Sequence, residues 1–510
     1  MLVHEFLERA ARRFPDKVAL VCEDERVTYV EIENRANRLA NWLIAQGVRR
    51  GDRVGIFLGN EVNAVVGFFA VLKAGGVFVL INPGTKGPKL AYILRDCGAV
   101  GLITSHRLFA PLADAVGAVE LLKFLVTCDA PGSARLEWRG AVTPLSAIQA
   151  EAPAPPPAVP CLDVDLACLI YTSGTTGEPK GVICAHENIV FVTRSIVDYL
   201  GNNESDVVLS VLALSFTYGL YQVFAAFFTG ATVVLESSFA FPVTILQRME
   251  RERVTGFPGV PTIYAVLLRM DLKPFDLASL RFLTNAAAPL APEAVVEISR
   301  RFPQARFFSM YGQTETARTL YLPPEWIGRK PGSVGIAIPG TEVWVEDEHG
   351  RRAGPGVPGE LIVRGRHVMR GYWNAPAASA ARFAPGPWPG ERVCRTGDLF
   401  RADAEGFLYF VSRSDDIIKC KGEKVAPREV EITLLRLPGV IHAAVVGVPD
   451  PVFGQAVKAV LVAGNPAPTA AQVLAHCRAN LEDHMIPKIV EFRAELPMTP
   501  NGKVKRSELV

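Results

Sequence analysis

A chain of 510 residues is too long for one ordinary hydrophobic core, so two or more domains are expected. With 49% hydrophobic and 21% charged residues it is neither disordered nor fibrous, and a net charge of +2 gives no electrostatic reason to invoke nucleic acid or an anionic membrane. The nine cysteines are odd in number and contain no Cys-x-x-Cys, which argues against a disulfide framework or zinc site and for a reducing, cytoplasmic setting.

Residues 1–17 mix Glu5, Glu8, Arg9, Arg12 and Arg13 with Leu and Phe at helical spacing, which reads as a surface helix and not as a signal peptide. From Val18 onward, short Val/Ile/Leu-rich runs alternate with amphipathic segments. Residues 31–46 place Ile32, Ala36, Leu39, Ala40 and Leu43 on one helical face, with Gly47 as the stop. Strands at 54–58 and 77–80 flank a helix at 62–73, an alternation that predicts α/β layers around largely parallel sheets. The Pro/Ala-rich stretch 151–160 is an extended connection leading into a buried strand at 166–170.

Residues 207–235 carry no charge and are long enough to span a bilayer. Ser215, Thr217, Gln222 and Thr229, with Gly219 and Gly230, divide them into strand, turn, helix and strand, so a buried α/β layer without membrane insertion is expected. Further strands at 280–283 and 306–309 end in polar loops, where open parallel sheets gather their ligands. After Val334, alternating runs at 342–345, 360–363 and 408–411 suggest a smaller β-rich subdomain. Strands at 440–448, 456–462 and 489–492, with a helix at 470–481, make a last unit of their own. The expected class is therefore α/β: a large N-terminal domain of layered α/β subdomains plus a β-rich subdomain (1–411), a polar hinge (412–416) and a small mobile α+β C-terminal lid (417–510).

Four motifs carry chemistry. Tyr171-Thr172-Ser173-Gly174-Thr175-Thr176-Gly177-Glu178-Pro179-Lys180 combines turn-permitting glycines, hydroxyl donors and a lysine, a set suited to a polyphosphate. Taken alone, a solvated turn is an equal account. The spacing is not that of a Walker loop, and the one Gly-x-Gly-x-x-Gly, at 354–359, holds Pro355 and Pro358 and reads as a turn. Tyr311-Gly312-Gln313-Thr314-Glu315 is either an aromatic-Gly turn or a hydroxyl and a carboxylate placed for a phosphate and a hard cation. Arg395-Thr396-Gly397-Asp398 is by itself a common turn. In Pro500-Asn501-Gly502-Lys503-Val504-Lys505-Arg506, Lys505 and Arg506 read as exposed charge.

In this order the motifs resemble those of the AMP-forming adenylating enzymes: acyl-CoA synthetases, stand-alone and modular adenylation domains, and luciferases. The resemblance runs from Tyr171 to Lys503, and Lys73 to Pro83 extends it into the first third as packing. It implies that Thr172 to Gly177 and Lys180 cradle the phosphates of ATP, that Thr314 contacts phosphate, and that Glu315 holds Mg²⁺. It also implies that the Tyr311 ring and Ala287 lie at the adenine, that Asp398 and Arg413 take the ribose hydroxyls, and that the lid pivots at Asp415. Lys503 would be the catalytic cation bridging acid and α-phosphate, and Gly422 part of a thiol tunnel, although Lys421 replaces a glycine common there.

By the same resemblance Phe216, Thr217, Tyr218, Ala286 and Gly312 line the acid pocket. Many CoA ligases carry His where Phe216 stands, and amino-acid-activating domains carry Asp where Thr217 stands. Thr217 cannot hold an α-ammonium, so the substrate is expected to lack one. Ala286-Ala287 replaces the usual Gly-Gly, and the apolar surroundings imply an uncharged acyl or aryl tail. The expected function is an ATP-dependent carboxylic acid–thiol ligase with CoA as acceptor. The alternatives are an enzyme loading the phosphopantetheine of an acyl carrier protein, and a nucleotide-binding pseudoenzyme.

Overall fold

The computed structural model describes residues 1–129, 138–151, 155–173, 178–420, 423–450, 454–499 and 503–510. Two large sheets form the body. A nine-stranded sheet runs in the order Ile336–Ala337, Leu320–Tyr321, Arg306–Tyr311, Phe282–Asn285, Gly256–Gly259, Val207–Ser210, Thr232–Leu235, Val18–Cys22, Glu25–Thr28. Its six middle strands are parallel, and the antiparallel pairings lie at its two ends. A seven-stranded sheet orders Ala141–Pro144, Phe124–Thr127, Ala99–Thr104, Arg53–Phe57, Val77–Leu80, Leu166–Ser173 and Pro179–Ala185. It is parallel except for its last pair, Leu166–Ser173 with Pro179–Ala185. That pair is an antiparallel hairpin, so the expected parallel rule fails at the strand that leads into the Thr-rich motif.

Helices join the two sheets. Val62–Lys73 and Thr217–Thr229 are apolar around most of their circumference, as helices buried on all sides must be. They meet through Phe68 against Phe224, with ring centroids 5.7 Å apart, and Phe69 stacked on Phe227 at 5.2 Å. Thr217–Thr229 ends at Gly230, whose φ of 86° is the left-handed conformation that stops a helix. Among the described residues no helix is long and apolar enough to cross a membrane. The first helix, Glu5–Arg13, is amphipathic and not merely superficial: Phe6, Leu7, Ala10 and Ala11 are buried. Helix Tyr29–Ala45 starts two residues before the expected position because Thr28 and Glu31 form a capping box, in which the Glu31 carboxylate accepts from Thr28 N at 2.7 Å.

A third, antiparallel sheet comprises Glu342–Glu346, Gly359–Arg364, Arg392–Ala402, Phe383–Pro385 and Leu408–Arg413. The fourth is drawn entirely from the chain's end: Glu423–Val425, Ile418–Cys420, Gly454–Ala463, Val440–Asp450 and Ile489–Phe492. Helices Pro427–Leu435 and Ala470–Asn480 accompany it, and it has its own apolar core around Val430, Leu434, Val445, Leu461 and Val473. A short turn of 3-10 helix, Ser414–Asp416, joins the third and fourth sheets.

Candidate active site

A cavity of about 940 Å³ opens where the parallel strands of both large sheets end. Residues just past the carboxyl ends of eight strands line it, among them Glu23, Leu58, Asn82, Val211, Ser237, Val260, Ala286 and Gly312. Ligands collect at such ends because the connecting loops diverge there and leave backbone polar groups facing the crevice. The acid-pocket residues named from the sequence, Phe216, Thr217, Tyr218, Ala286 and Gly312, all lie on its wall, as do Ala287, Thr314 and Lys503. Phe216 is the N-cap of helix Thr217–Thr229, and Tyr218 donates its hydroxyl to the Thr284 carbonyl at 2.9 Å. Gly312 has no room for a side chain, since a Cβ there would meet the Ala317 carbonyl oxygen at 2.3 Å. Ala287 adopts φ 71°, a left-handed conformation disfavoured for any residue with a Cβ.

Beside this cavity lies a polar cluster. Strand Arg306–Tyr311 ends with Tyr311, whose hydroxyl donates to Asp398 Oδ2 at 2.6 Å. Asp398 lies on strand Arg392–Ala402, directly across the ladder from Arg413, whose guanidinium is 3.6 Å from Oδ1. Asp398 is only 8% exposed, and burial raises its pKa above the ordinary aspartate value. The Tyr311 hydrogen bond and the charges of Arg413, Arg382 and Lys503 pull it back down.

Glu315, also buried, accepts the Tyr372 hydroxyl at 2.5 Å. Burial and the Glu315 charge push the Tyr372 phenol upward, so it stays a protonated donor. Arg382 donates to the Tyr372 oxygen at 3.4 Å. The ammonium of Lys180, on strand Pro179–Ala185, sits 5.8 Å from the centroid of the Tyr372 ring, and so on the Glu315 side of the cleft. Thr172 pairs with Lys180 across the hairpin. Gly174, Thr175, Thr176, Gly177 and Gly422 lie outside the described residues, as do the side chains of Ser173 and Asp415.

Lys503 reaches this cluster from the chain's end. A turn in which Thr499 N–H donates to the Lys503 carbonyl at 2.7 Å, and Lys503 N–H to Thr499 Oγ1 at 3.0 Å, sets its backbone. Its side chain keeps contact with solvent in the cleft, yet the protein around it displaces enough water to lower its pKa. Asp398 and Glu315 act on it as opposing charges that favour the ammonium, while Arg413 disfavours it. One lysine thus lies within electrostatic reach of both carboxylates.

Sequence reasoning missed Tyr372 and Arg382. The signal available was the aromatic pair Tyr372-Trp373 directly after Gly371. Arg506 also differs from expectation. It is not idle charge but pairs with Asp416 at 2.6 Å and with buried Glu431 at 2.5 Å, tying the C-terminal segment to the interdomain turn. Arg428 spans the same boundary by donating to the Pro289 and Leu290 carbonyls.

Known proteins share this architecture. The family model described as AMP-binding enzyme matches residues 7–373, and that described as AMP-binding enzyme C-terminal domain matches 429–503. The chain is similar to part of a linear gramicidin synthase polypeptide of Brevibacillus parabrevis, 31% identical over the whole of this chain, which spans only 6% of that protein. It is 34% identical to a feruloyl-CoA synthase of an Amycolatopsis species, over 98% of this chain and 97% of the relative. Among solved structures it resembles an anthranilate CoA ligase in complex with anthranoyl-AMP, with a TM-score of 0.90 at 30% identity over 100% of this chain and 96% of that one.

Proposed function

The chain belongs to the family of AMP-binding enzymes, and from that membership we propose a two-step acid–thiol ligase reaction at its cleft. A carboxylic acid lacking an α-amino group enters the cavity and attacks the α-phosphorus of ATP, giving acyl-AMP and pyrophosphate. The thiol of CoA then displaces AMP and leaves a thioester. One difficult step becomes two easier ones through an activated acyl intermediate.

The observation that carries this reading is the meeting of Lys503, Glu315 and Asp398 beside a cavity large enough for an acid. Asp398 is an acceptor with two oxygens, suited to a pair of ribose hydroxyls. Lys503 offsets the charge that builds when carboxylate and phosphate, both anionic, approach. One such group is typically worth about 10²–10³ in rate. Thr314 and Lys180 contact phosphate oxygens. Glu315 suits Mg²⁺: it is a single carboxylate with Oε1 taken by Tyr372 and Oε2 without a hydrogen bond among the described residues, and Mg²⁺ commonly uses one or two carboxylates plus substrate phosphates. When bound, the ion would neutralise charge on the departing pyrophosphate.

Residues 412–416 are the hinge about which 417–510 turn between the half-reactions. Withdrawal of Lys503 would then make room for the thiol. Phe216, standing where many CoA ligases carry His, favours a second reading with a carrier-protein phosphopantetheine as acceptor.

The test is ATP–pyrophosphate exchange over a panel of acids, followed by thioester formation with free CoA or with a phosphopantetheinylated carrier protein. Acid-dependent exchange and a CoA thioester are expected. Absence of exchange with every acid contradicts the ligase reading, and thioester only on the carrier selects the second acceptor.

A further inference from the structure

Of the charged residues lining the cavity, Arg318 alone is buried, at 4% exposure. Glu23, Asp24, Glu25 and Arg107 lie at the exposed mouth, Glu61 is half-buried with its carboxylate accepting from Gly59 N–H at 3.1 Å, and Lys503 faces the reaction centre. Arg318 follows the Thr314-Glu315 loop, and its guanidinium carbon lies 4.8 Å over the ring of Tyr218. Its other polar neighbours are the phenols Tyr199, whose oxygen accepts a hydrogen bond from the guanidinium, and Tyr221, both neutral.

Among the described residues no carboxylate pairs with Arg318, its Nε is buried without a hydrogen-bond partner, and so is the hydroxyl of Tyr221. A guanidinium stays charged at any physiological pH and carries five donors in a rigid plane. Tyr218 offers it the face of a ring but no acceptor. Burying such a cation is unfavourable unless an anion accompanies it. The described residues supply none within ion-pair distance, and the cavity lies in front of it.

Resting on the ligase reading, we infer that Arg318 receives a second carboxylate at the far end of the substrate, so that this cavity selects a dicarboxylic acid. One carboxylate lies toward Lys503 and becomes the mixed anhydride of the acyl-AMP, with pyrophosphate leaving. The other forms a forked pair with Arg318, a geometry the guanidinium plane matches. This replaces the uncharged tail expected from the apolar surroundings. Val211, Leu214, Val260 and Ile263 make those apolar walls and would enclose the middle of the molecule.

The experiment is acid-dependent ATP–pyrophosphate exchange with matched mono- and dicarboxylates, from propanoate and malonate to decanoate and sebacate, plus benzoate, isophthalate and meta-hydroxybenzoate. On the frame that fits, the diacid is expected to exceed its monoacid in kcat/KM by about tenfold or more, because an unpaired buried donor penalises the analogue lacking its partner. Arg318→Met, checked for folding by circular dichroism, should erase that preference while keeping exchange with the monoacid. Arg318→Lys, which keeps charge but loses the fork, should retain an intermediate preference, and it decides the matter if the methionine variant does not fold. A wild type that uses monoacids as well as diacids on every frame overturns this inference and leaves the ligase reading standing. So does an unchanged preference in Arg318→Met, or meta-hydroxybenzoate matching isophthalate where the aryl frame is the one that fits. Absence of exchange with any acid overturns both.

Discussion

On the body of the protein, Glu315 and Asp398 are each fixed by a phenol donating at 2.5 and 2.6 Å, whereas the Lys503 ammonium has no hydrogen bond or ion pair among the described residues. Glu315 sits in the loop after strand Arg306–Tyr311, and Asp398 in the middle of strand Arg392–Ala402. The lysine is brought by a separate sheet with its own core. One bank of the cleft is therefore fixed by local bonds, the other by where a domain sits. In the proposed reaction, groups that must hold the nucleotide through both half-reactions, first as ATP and then as acyl-AMP, gain from being fixed. A cation needed in only one of them gains from being removable.

The sharpest way to break the fixed bank is Asp398→Ala. Loss of a charged acceptor is worth about 1.5–3 kcal/mol, so kcat/KM for ATP should fall roughly ten- to a hundredfold in exchange kinetics. Asp398 also sets a pH dependence. In the proposed role its ionised form is the one that accepts both ribose hydroxyls, and burial raises its pKa. As pH falls, ATP affinity should therefore be lost at a higher pH than an ordinary aspartate would dictate, a limb visible in KM for ATP against pH.

On the movable bank, Arg506→Met leaves the 5%-exposed Glu431 without its guanidinium. Because Arg506 is itself partly open to solvent, the loss is discounted to about 1–3 kcal/mol, read as a lower melting temperature for the C-terminal domain by calorimetry. Both half-reactions should weaken together, since Arg506 positions the domain and touches no reactant. Tyr372→Phe releases one oxygen of Glu315. The expected loss is about 1 kcal/mol, roughly fivefold in exchange, with the half-saturating Mg²⁺ concentration rising. The smallest effect belongs to Ala287→Gly. Relief of strain at φ 71°, about 1 kcal/mol, nearly cancels the extra chain entropy of glycine, so the melting temperature should stay within about a degree or two.

The two banks also differ in how legible they were. Local pattern settled the helix Val62–Lys73 and the strand Val77–Leu80 to the residue, because each is a short apolar run bounded by polar or glycine positions. Three of the five strands of the last sheet were found within two residues at each end for the same reason, whereas Ile418–Cys420 and Glu423–Val425 were not expected as strands. The start of Tyr29–Ala45 was missed because its cap lies upstream of the periodic stretch.

Among site residues, those in compact motifs were nameable from the resemblance, and the structure gathers the described ones in one cleft. Tyr372, Arg382, Arg318 and Arg506 were not. Most of their neighbours are remote in the chain: Tyr372 meets Glu315 across 57 positions and Arg506 meets Asp416 across 90, and only the pair of Arg382 with Tyr372 is as near as 10. A contact between distant segments leaves no periodicity or spacing to read. An uncompensated buried charge such as Arg318 is visible only once the surrounding tyrosines are in place.

The most direct test of the movable cation is Lys503→Ala, assayed separately for acyl-AMP formation from ATP and acid and for thioester formation from supplied acyl-AMP and CoA. The first rate should drop about 10²–10³-fold while the second stays near that of the unaltered protein. Equal loss in both, or none in the first, contradicts a lysine that serves one half-reaction and then leaves.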